Sequence, residues 1–548
     1  MVKKILVFVI LVMALVFGMT VVGCGGGDDG NTAGNNPPPP PTKSSAADIL
    51  TFKVGETTGT IDGTEIQVRI PLSGSFNIEA VSPVITLSDK AAVSPNSGAA
   101  VDFSKPVEYT VTAEDGTTVK KYTVSIIQTA KVTDGNLKAA LDQITKGGSY
   151  DIEMASNSAG FAPYSIPAGT SAKQKAIALY GSDGARTISL SSTQKGSLLT
   201  VGQYVTVTLK DITLQGISDN NAALVKVDRD GDLVLGSGAK ITGNTNTTEG
   251  TTVVTAGGVY SLGSVTINGG EISGNNSRYM GGGIGGGTIT LNSGKIADNT
   301  ARNLGGGVYY STITVNGGEI SGNKAMQGGG VYGDVTMTGG TIKNNRAEGS
   351  GSTSTFDPTG GGVYGKVIMS GGTIEGNSAV STAGNPLRSP SRGGGIYSGS
   401  GYGGQESVLS GGTITNNTAQ IGGGIYVPPS GSLTMSKDIV VTPSDTANAI
   451  ALTFRKSSAV VTNATINITE SFSGSGAIAN VDIFRDGVVD WPEFIGRTII
   501  TGNIDAGTIS RFVLSKNQVQ ISSSLDLSTD NASGNFKLGS DGKLAYDY

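Results

Sequence analysis

Between Gly269 and Asn417 the chain repeats one short phrase: GGEISGN, SGKIADN, GGEISGN, GGTIKNN, GGTIEGN and GGTITNN. Its isoleucines are Ile272, Ile296, Ile320, Ile342, Ile374 and Ile414, at spacings of 24, 24, 22, 32 and 40 residues. Three residues after each stands an asparagine: Asn275, Asn299, Asn323, Asn345, Asn377 and Asn417. A second column in the same register is a glycine run leading into Val or Ile, usually followed by tyrosine: Tyr260, Tyr309, Tyr332, Tyr364, Tyr397 and Tyr426, with Gly285 in that place once. A third column alternates apolar and polar residues, as in SVTINGG, TITLNSG and DVTMTGG. A unit this short cannot bury a core alone, so it must stack on copies of itself. Three strand-like pieces per 22–24 residues predict an all-β chain wound as a right-handed parallel β-helix. Val265, Ile267 and Ile272 then face inward from one coil, and equivalent residues stack about 4.8 Å apart.

Composition agrees. Glycine supplies 85 of 548 residues, clustered as GG and GGG and not at every third place, which excludes collagen. Glycine gives the positive φ angles that coil corners need, and the column asparagines are expected to share that conformation while bonding one another in a ladder. A hydrophobic content of 37 % is too high for wholesale disorder. With no histidine, imidazole-based catalysis is excluded, and a single cysteine leaves no disulfide framework or cysteine zinc site. The formal charge of −5 argues against nucleic acid as a partner.

The N-terminus reads as an address. Lys3 and Lys4 precede an apolar run from Ile5 to Phe17, and Val21-Val22-Gly23-Cys24 resembles the lipobox of bacterial lipoproteins. The resemblance implies that residues 1–23 are a signal peptide, that Cys24 is acylated and becomes the mature N-terminus, and that the membrane is a partner through that anchor. Gly25 after the cysteine, where Asp would retain a lipoprotein at the inner membrane, points to the outer membrane. Residues 24–47 form a Gly/Asn and polyproline tether. Residues 48–128 alternate around Asp-Gly turns, with Tyr109, Val111, Tyr122 and Val124 as the inward set of a hairpin. The run YTVTAEDGTTVKKYTV resembles the closing hairpin of bacterial immunoglobulin-like modules, so a small β-sandwich acting as a spacer is expected. NLKAALDQI (136–144) predicts a short helix capping the repeats, which occupy 129–548 and finish in capping strands.

The paired GG-x-Ile and Ile-x-x-Asn motifs resemble the repeats of chlamydial polymorphic outer-membrane proteins and adhesin-like β-helix proteins, over roughly residues 240–430. Those motifs typically carry Phe where this chain has Ile, and no autotransporter barrel is recognisable here. The resemblance implies a surface-exposed, adhesin-like protein and transfers no catalytic residue.

Many β-helix proteins of the pectate-lyase-like type cleave polysaccharides, so the carboxylates matter. Between 255 and 430 there are eight: Glu271, Asp298, Glu319, Asp334, Glu348, Asp357, Glu375 and Glu406. Stacking predicts an ion-pair ladder of Glu271, Lys295 and Glu319, and places Lys343 beside Glu375. The remaining acids scatter over different columns, which leaves no pair poised to flank a glycosidic bond. No enzymatic activity, cofactor or metal is therefore expected; Asp228, Asp230 and Asp232 of DRDGD read as an exposed turn, not a calcium loop. The tyrosines read as a self-stacked ladder, and Trp491 as part of a C-terminal cap. The slot between each column asparagine and the next glycine run holds Arg278, Arg302, Lys324, Arg346, Arg388 and Arg392 against only Glu348 and Asp357. These segments are expected to be side loops forming a basic contact strip for an anionic glycan or host matrix ligand. A further insertion, SGSGYGGQES, projects from another edge. Adhesion or surface display is the favoured role; a polysaccharide-active enzyme and a purely structural surface protein are the alternatives.

Overall fold

The computed structural model describes residues 42–442, apart from 134, 249–254, 350–356, 383–389, 400–405 and 437, together with short strands between 449 and 546. The described residues are almost wholly β, with one α-helix, Leu137–Asp142.

The N-terminal module packs a three-stranded antiparallel sheet (Ile49–Val54, Thr57–Thr58, Val84–Leu87) against strands Thr60–Asp62, Glu65–Pro71, Ala92–Ser94, Val107–Thr112 and Val119–Val132. The alternation in EIQVRIP and VEYTVT buries every second side chain, as period-2 patterning requires. Tyr109, Val111, Tyr122 and Val124 are all buried. Phe52 meets Tyr109 edge-on, with centroids 5.3 Å apart. Asp115 closes the hairpin turn by accepting the backbone N–H of Thr117 (2.8 Å) and Thr118 (2.7 Å).

Strand Val119–Val132 does not end with the module. Its first half pairs antiparallel with Val107–Thr112, its middle parallel with Glu65–Pro71, and Ile127–Val132 parallel with Gly148–Met154. The 128/129 boundary read from sequence therefore falls inside one continuous strand. Arg69 bonds Asp151 at 2.6 Å across this junction, and Glu79 takes both Lys146 and Lys173. From Gly148 to Val441 the pairing is parallel, running through Lys175–Gly181, Val205–Lys210, Asp232–Leu235 and Ser264–Ser273; antiparallel pairs appear among the strands after Ile450. Leu137 and Leu141 of the helix lie over the first of these strands and line an apolar cavity with Ile177, Leu179 and Val207.

In the repeat region three ladders are in register. Ile272, Ile296, Ile320, Ile342, Ile374 and Ile414 pair in succession and are fully buried. Burial of each such side chain contributes about 1.5–3 kcal/mol. The other two ladders carry the residues of the glycine-run column, such as Val308 and Val331, and those of the alternating column, such as Ile313 and Val335.

A fourth ladder joins them. The segments after each column asparagine, expected to be loops, instead pair in parallel as a six-stranded sheet: Thr245–Asn246, Asn276–Ser277, Thr300–Ala301, Lys324–Ala325, Arg346–Gly349 and Ser378–Ser381. Their second residues, including Ala301, Ala325, Ala347 and Ala379, are buried small side chains that let the corner close.

The asparagine ladder forms as expected and begins earlier, at Asn220 and Asn244. From Asn275 onward each link is alike: the Asn299 backbone N–H and its Nδ2 both donate to Asn323 Oδ1 (3.0 and 3.1 Å), and Nδ2 also donates to the Ile272 carbonyl (2.8 Å). The positive φ lies one residue earlier than expected. It falls on Gly274, Asp298, Gly322, Asn344, Gly376 and Asn416, not on the column asparagine. Only Gly, Asp and Asn occupy that place because only they enter the left-handed region readily. In the glycine runs the first residue turns the corner (Gly305, φ 65°). The second cannot carry a side chain at all: a Cβ on Gly306 would stand 2.3 Å from the carbonyl oxygen of Gly329.

Candidate functional site: the tyrosine ladder and the cationic edge

The tyrosine after each glycine run lies on the outer side of its strand, against the first glycine of that run. A Cβ on Gly305 would meet Tyr309 Cβ at 2.7 Å. With a side chain excluded there, the ring settles on the backbone, and parallel register places the next ring one ladder step away. Tyr332 and Tyr364 stack at 4.6 Å with planes 5° apart, Tyr364 and Tyr397 at 4.6 Å and 7°, and Tyr397 and Tyr426 at 4.9 Å and 23°. Tyr309 continues the column at 5.6 Å. Burial pushes the Tyr309 hydroxyl up to about 12, so it stays a neutral hydrogen-bonding group. Along this run the ring faces are taken by one another; Tyr364 and Tyr426 are buried, and Tyr309, Tyr332 and Tyr397 half-buried.

Beside the tyrosines lies a column of isolated parallel bridges, Met280, Leu304, Gln327, Thr359, Arg392 and Ile421, and beyond it the fourth ladder. Of the basic residues singled out from sequence, Lys324 and Arg346 lie on the fourth ladder and Arg392 in the bridge column. Lys324 and Arg346 are register partners, and both reach Glu348, at 2.6 and 3.0 Å. Arg346 first, then Lys324, hold that carboxyl down at about 2. Arg392 bonds Asp357 at 2.7 Å and lies 5.8 Å from the Tyr426 ring centroid, joining the edge to the ladder. Arg278 and Arg302 are exposed on successive rungs. Lys324, Arg346 and Arg392 thus stand on paired backbone and hold the edge's two acids, while Arg278 and Arg302 stand at bends just after their fourth-ladder strands. Arg388 with residues 350–356 and 383–389 of the two longest slots, Cys24, the apolar run from Ile5 to Phe17, Trp491 and most of SGSGYGGQES lie outside the described residues.

The acids elsewhere are engaged differently from the expected ladder. Glu271, Lys295 and Glu319 do stack in register. The ion pairs, however, are Glu271 with Lys240 (3.1 Å), its register partner on the preceding rung, and Glu319 with Lys343 (2.8 Å), a diagonal partner on the following rung. The Lys295 charge acts on both carboxyls as a secondary influence. Lys343 stands in register with Glu375 but bonds Glu319. In DRDGD, Asp230 takes the turn (φ 56°), Asp228 pairs with Lys226, and Asp232 accepts from Ser264 and Thr206. Among the described residues no cluster of three or more acids could hold a metal ion.

A family model described as SGBP, N-terminal, matches residues 49–126. Among solved structures, a Bacteroides thetaiotaomicron protein provisionally described as a glycoside hydrolase is 34 % identical over a match covering 17 % of this chain and 28 % of that one, with a TM-score of 0.15. This chain therefore spans little more than a quarter of that relative. No curated protein matches the chain.

Proposed function

We propose that this chain is a surface-displayed, lipid-anchored glycan-binding protein whose repeats wind as a right-handed parallel β-helix and hold their ligand without cleaving it. The observation that carries the reading is the match of residues 49–126 to a family of cell-surface glycan-binding proteins. That module is fused, through strand Val119–Val132, to a long rigid array. A binding role is supported further by Glu271, Glu319, Glu348 and Asp357, four carboxylates of the array that are committed to lysine or arginine partners. Acylation of Cys24 places the array outside the outer membrane on the tether 24–47, and an adhesin-like use of the same face follows from that display. Arg278, Arg302, Lys324, Arg346 and Arg392, with Arg388, rim the binding face and favour glycans bearing anionic groups.

The test is retention of the full chain on immobilised neutral and sulfated polysaccharides, with Arg278→Ser/Arg302→Ser beside the parent protein. The reading expects retention on at least one polysaccharide, with sulfated chains held more tightly and that preference reduced in the double variant. No retention on any of them contradicts it. Labelling of Cys24→Ser with a clickable fatty acid in the native host tests the anchor, with loss of label expected.

A further inference from the structure

Asp334 and Glu406, expected in different columns, share one. Both lie on the outward side of the alternating ladder, and Lys366 stands on the rung between them. The Lys366 backbone N–H donates to Asp334 Oδ1 (3.1 Å) and that of Val367 to Ser407 Oγ (3.1 Å), which fixes the three rungs against one another. Two steps set the strands of the two acids about 9–10 Å apart.

Little of this column's hydrogen-bonding capacity is spent. Asp232 holds the same place on an earlier rung and accepts from Ser264 and Thr206, one with each oxygen. Glu406 Oε1 takes the Thr434 hydroxyl, but Asp334 Oδ2 and Glu406 Oε2 accept from no described residue. The Lys366 ammonium has a carboxylate one rung away on each side, yet it makes no ion pair or hydrogen bond among the described residues. Lys240 and Lys343, on the isoleucine ladder, do bond Glu271 and Glu319. Asp334 and Lys366 are half-buried and Glu406 is exposed. An exposed ion pair contributes at most about 1 kcal/mol, so leaving these groups available costs the fold little.

The second observation is apolar. The next outward position along these strands carries Thr266, Thr290, Thr314 and Thr336 on successive rungs, then Ile368 and Val408. Ile368 is 41 % exposed, whereas Thr336 is half-buried. Asp334 and Lys366 each follow a glycine, Gly333 and Gly365, so no side chain rises on that flank. A charged column and an apolar pair therefore run side by side, about 7 Å apart along each strand.

We propose that this face is a subsite for a neutral sugar ring of a glycan, its C–H face against Ile368 and Val408 and its hydroxyl edge against Asp334, Lys366 and Glu406. A hydroxyl both donates and accepts, so neighbouring sugar hydroxyls satisfy the ammonium and the carboxylate oxygens together. Hydrogen bonds to charged partners are the stronger class. The column carries two negative charges against one positive, so sulfate and uronate groups are disfavoured here, unlike at the cationic edge. The subsite rests on the glycan-binding reading and adds to it a second position with the opposite charge preference.

Two variants of the full chain test it, by affinity electrophoresis through native gels containing starch, xylan, galactomannan or mixed-linkage β-glucan. Lys366→Met/Glu406→Gln keeps both stems and removes the charges. Ile368→Thr installs the residue that Thr336 carries on the preceding rung. On the polysaccharide that holds the parent protein, the double variant is expected to lose roughly tenfold or more in retention. Ile368→Thr is expected to lose about threefold, and both variants to melt with the parent. A parent protein that is retained while both variants run identically to it overturns the subsite and leaves glycan binding standing. A parent protein retained by none of the four overturns the subsite, and failure on sulfated polysaccharides as well overturns the broader reading.

Discussion

At the scale of single residues, the buried asparagines are the most exposed to test. Asn323 accepts from the backbone and side chain of Asn299 and donates to Asn345 Oδ1 and the Ile296 carbonyl. Asn323→Ala leaves buried donors and an acceptor unmet, and should destabilise the fold by about 2–3 kcal/mol, read as a shift in the urea midpoint. Glu348 gives a pH signature. Its carboxyl is depressed to about 2 by Arg346 and Lys324, so the stabilisation is complete above its unfolded value and fades as pH falls towards the folded one. Glu348→Gln should cost about 1 kcal/mol at neutral pH, and the gap between the two proteins should close in denaturation curves taken from pH 5 down to 2. The asparagine column was legible in the sequence because three residues of spacing recur without exception. The position of the left-handed corner was not: Gly, Asp and Asn alternate just before the column, and only the dihedral angles show that this residue, not the column asparagine, takes the turn.

At the scale of elements, each ladder depends on the backbones of successive rungs approaching closely. Gly306→Ala would drive a methyl group into the Gly329 and Lys324 carbonyls, backbone atoms that cannot step aside. It should cost about 3 kcal/mol or more and open the array to limited proteolysis near that rung. The Ile, Asn and Gly columns were readable since each demands one residue type at one place. The fourth ladder was missed, although its signal is present as a small residue two places after nearly every column asparagine (Ser277, Ala301, Ala325, Ala347, Ala379). A charged residue stands between in some repeats and gives the segment the look of a loop; the small side chain decides, since it alone faces inward. The ion pairs were misplaced because register puts Lys295 between two glutamates, while Glu271 bonds its other register neighbour, Lys240, and Glu319 reaches diagonally to Lys343.

At the scale of the molecule, the N-terminal module and the repeats share a strand. Alternation over 48–128 and the resemblance of its closing hairpin to immunoglobulin-like modules led to the expectation of a spacer; hydrogen bonding continues through to Val132, because alternation in VKKYTVSIIQTAKV does not stop where the module's own partners do. Ala130→Pro removes a ladder N–H within that strand and should split calorimetric unfolding into two transitions, where the parent module melts together with the first rungs. The proposed role, holding a polymer along the array without cutting it, draws on four of its carboxylates, Glu271, Glu319, Glu348 and Asp357, being tied to cations. The most direct measurement is titration of the full chain with a retained polysaccharide, with the polymer's length and reducing ends followed in the same tube. Saturable binding with unchanged polymer length is predicted; new reducing ends, unsaturated products, or no saturable binding to any polysaccharide would contradict the account.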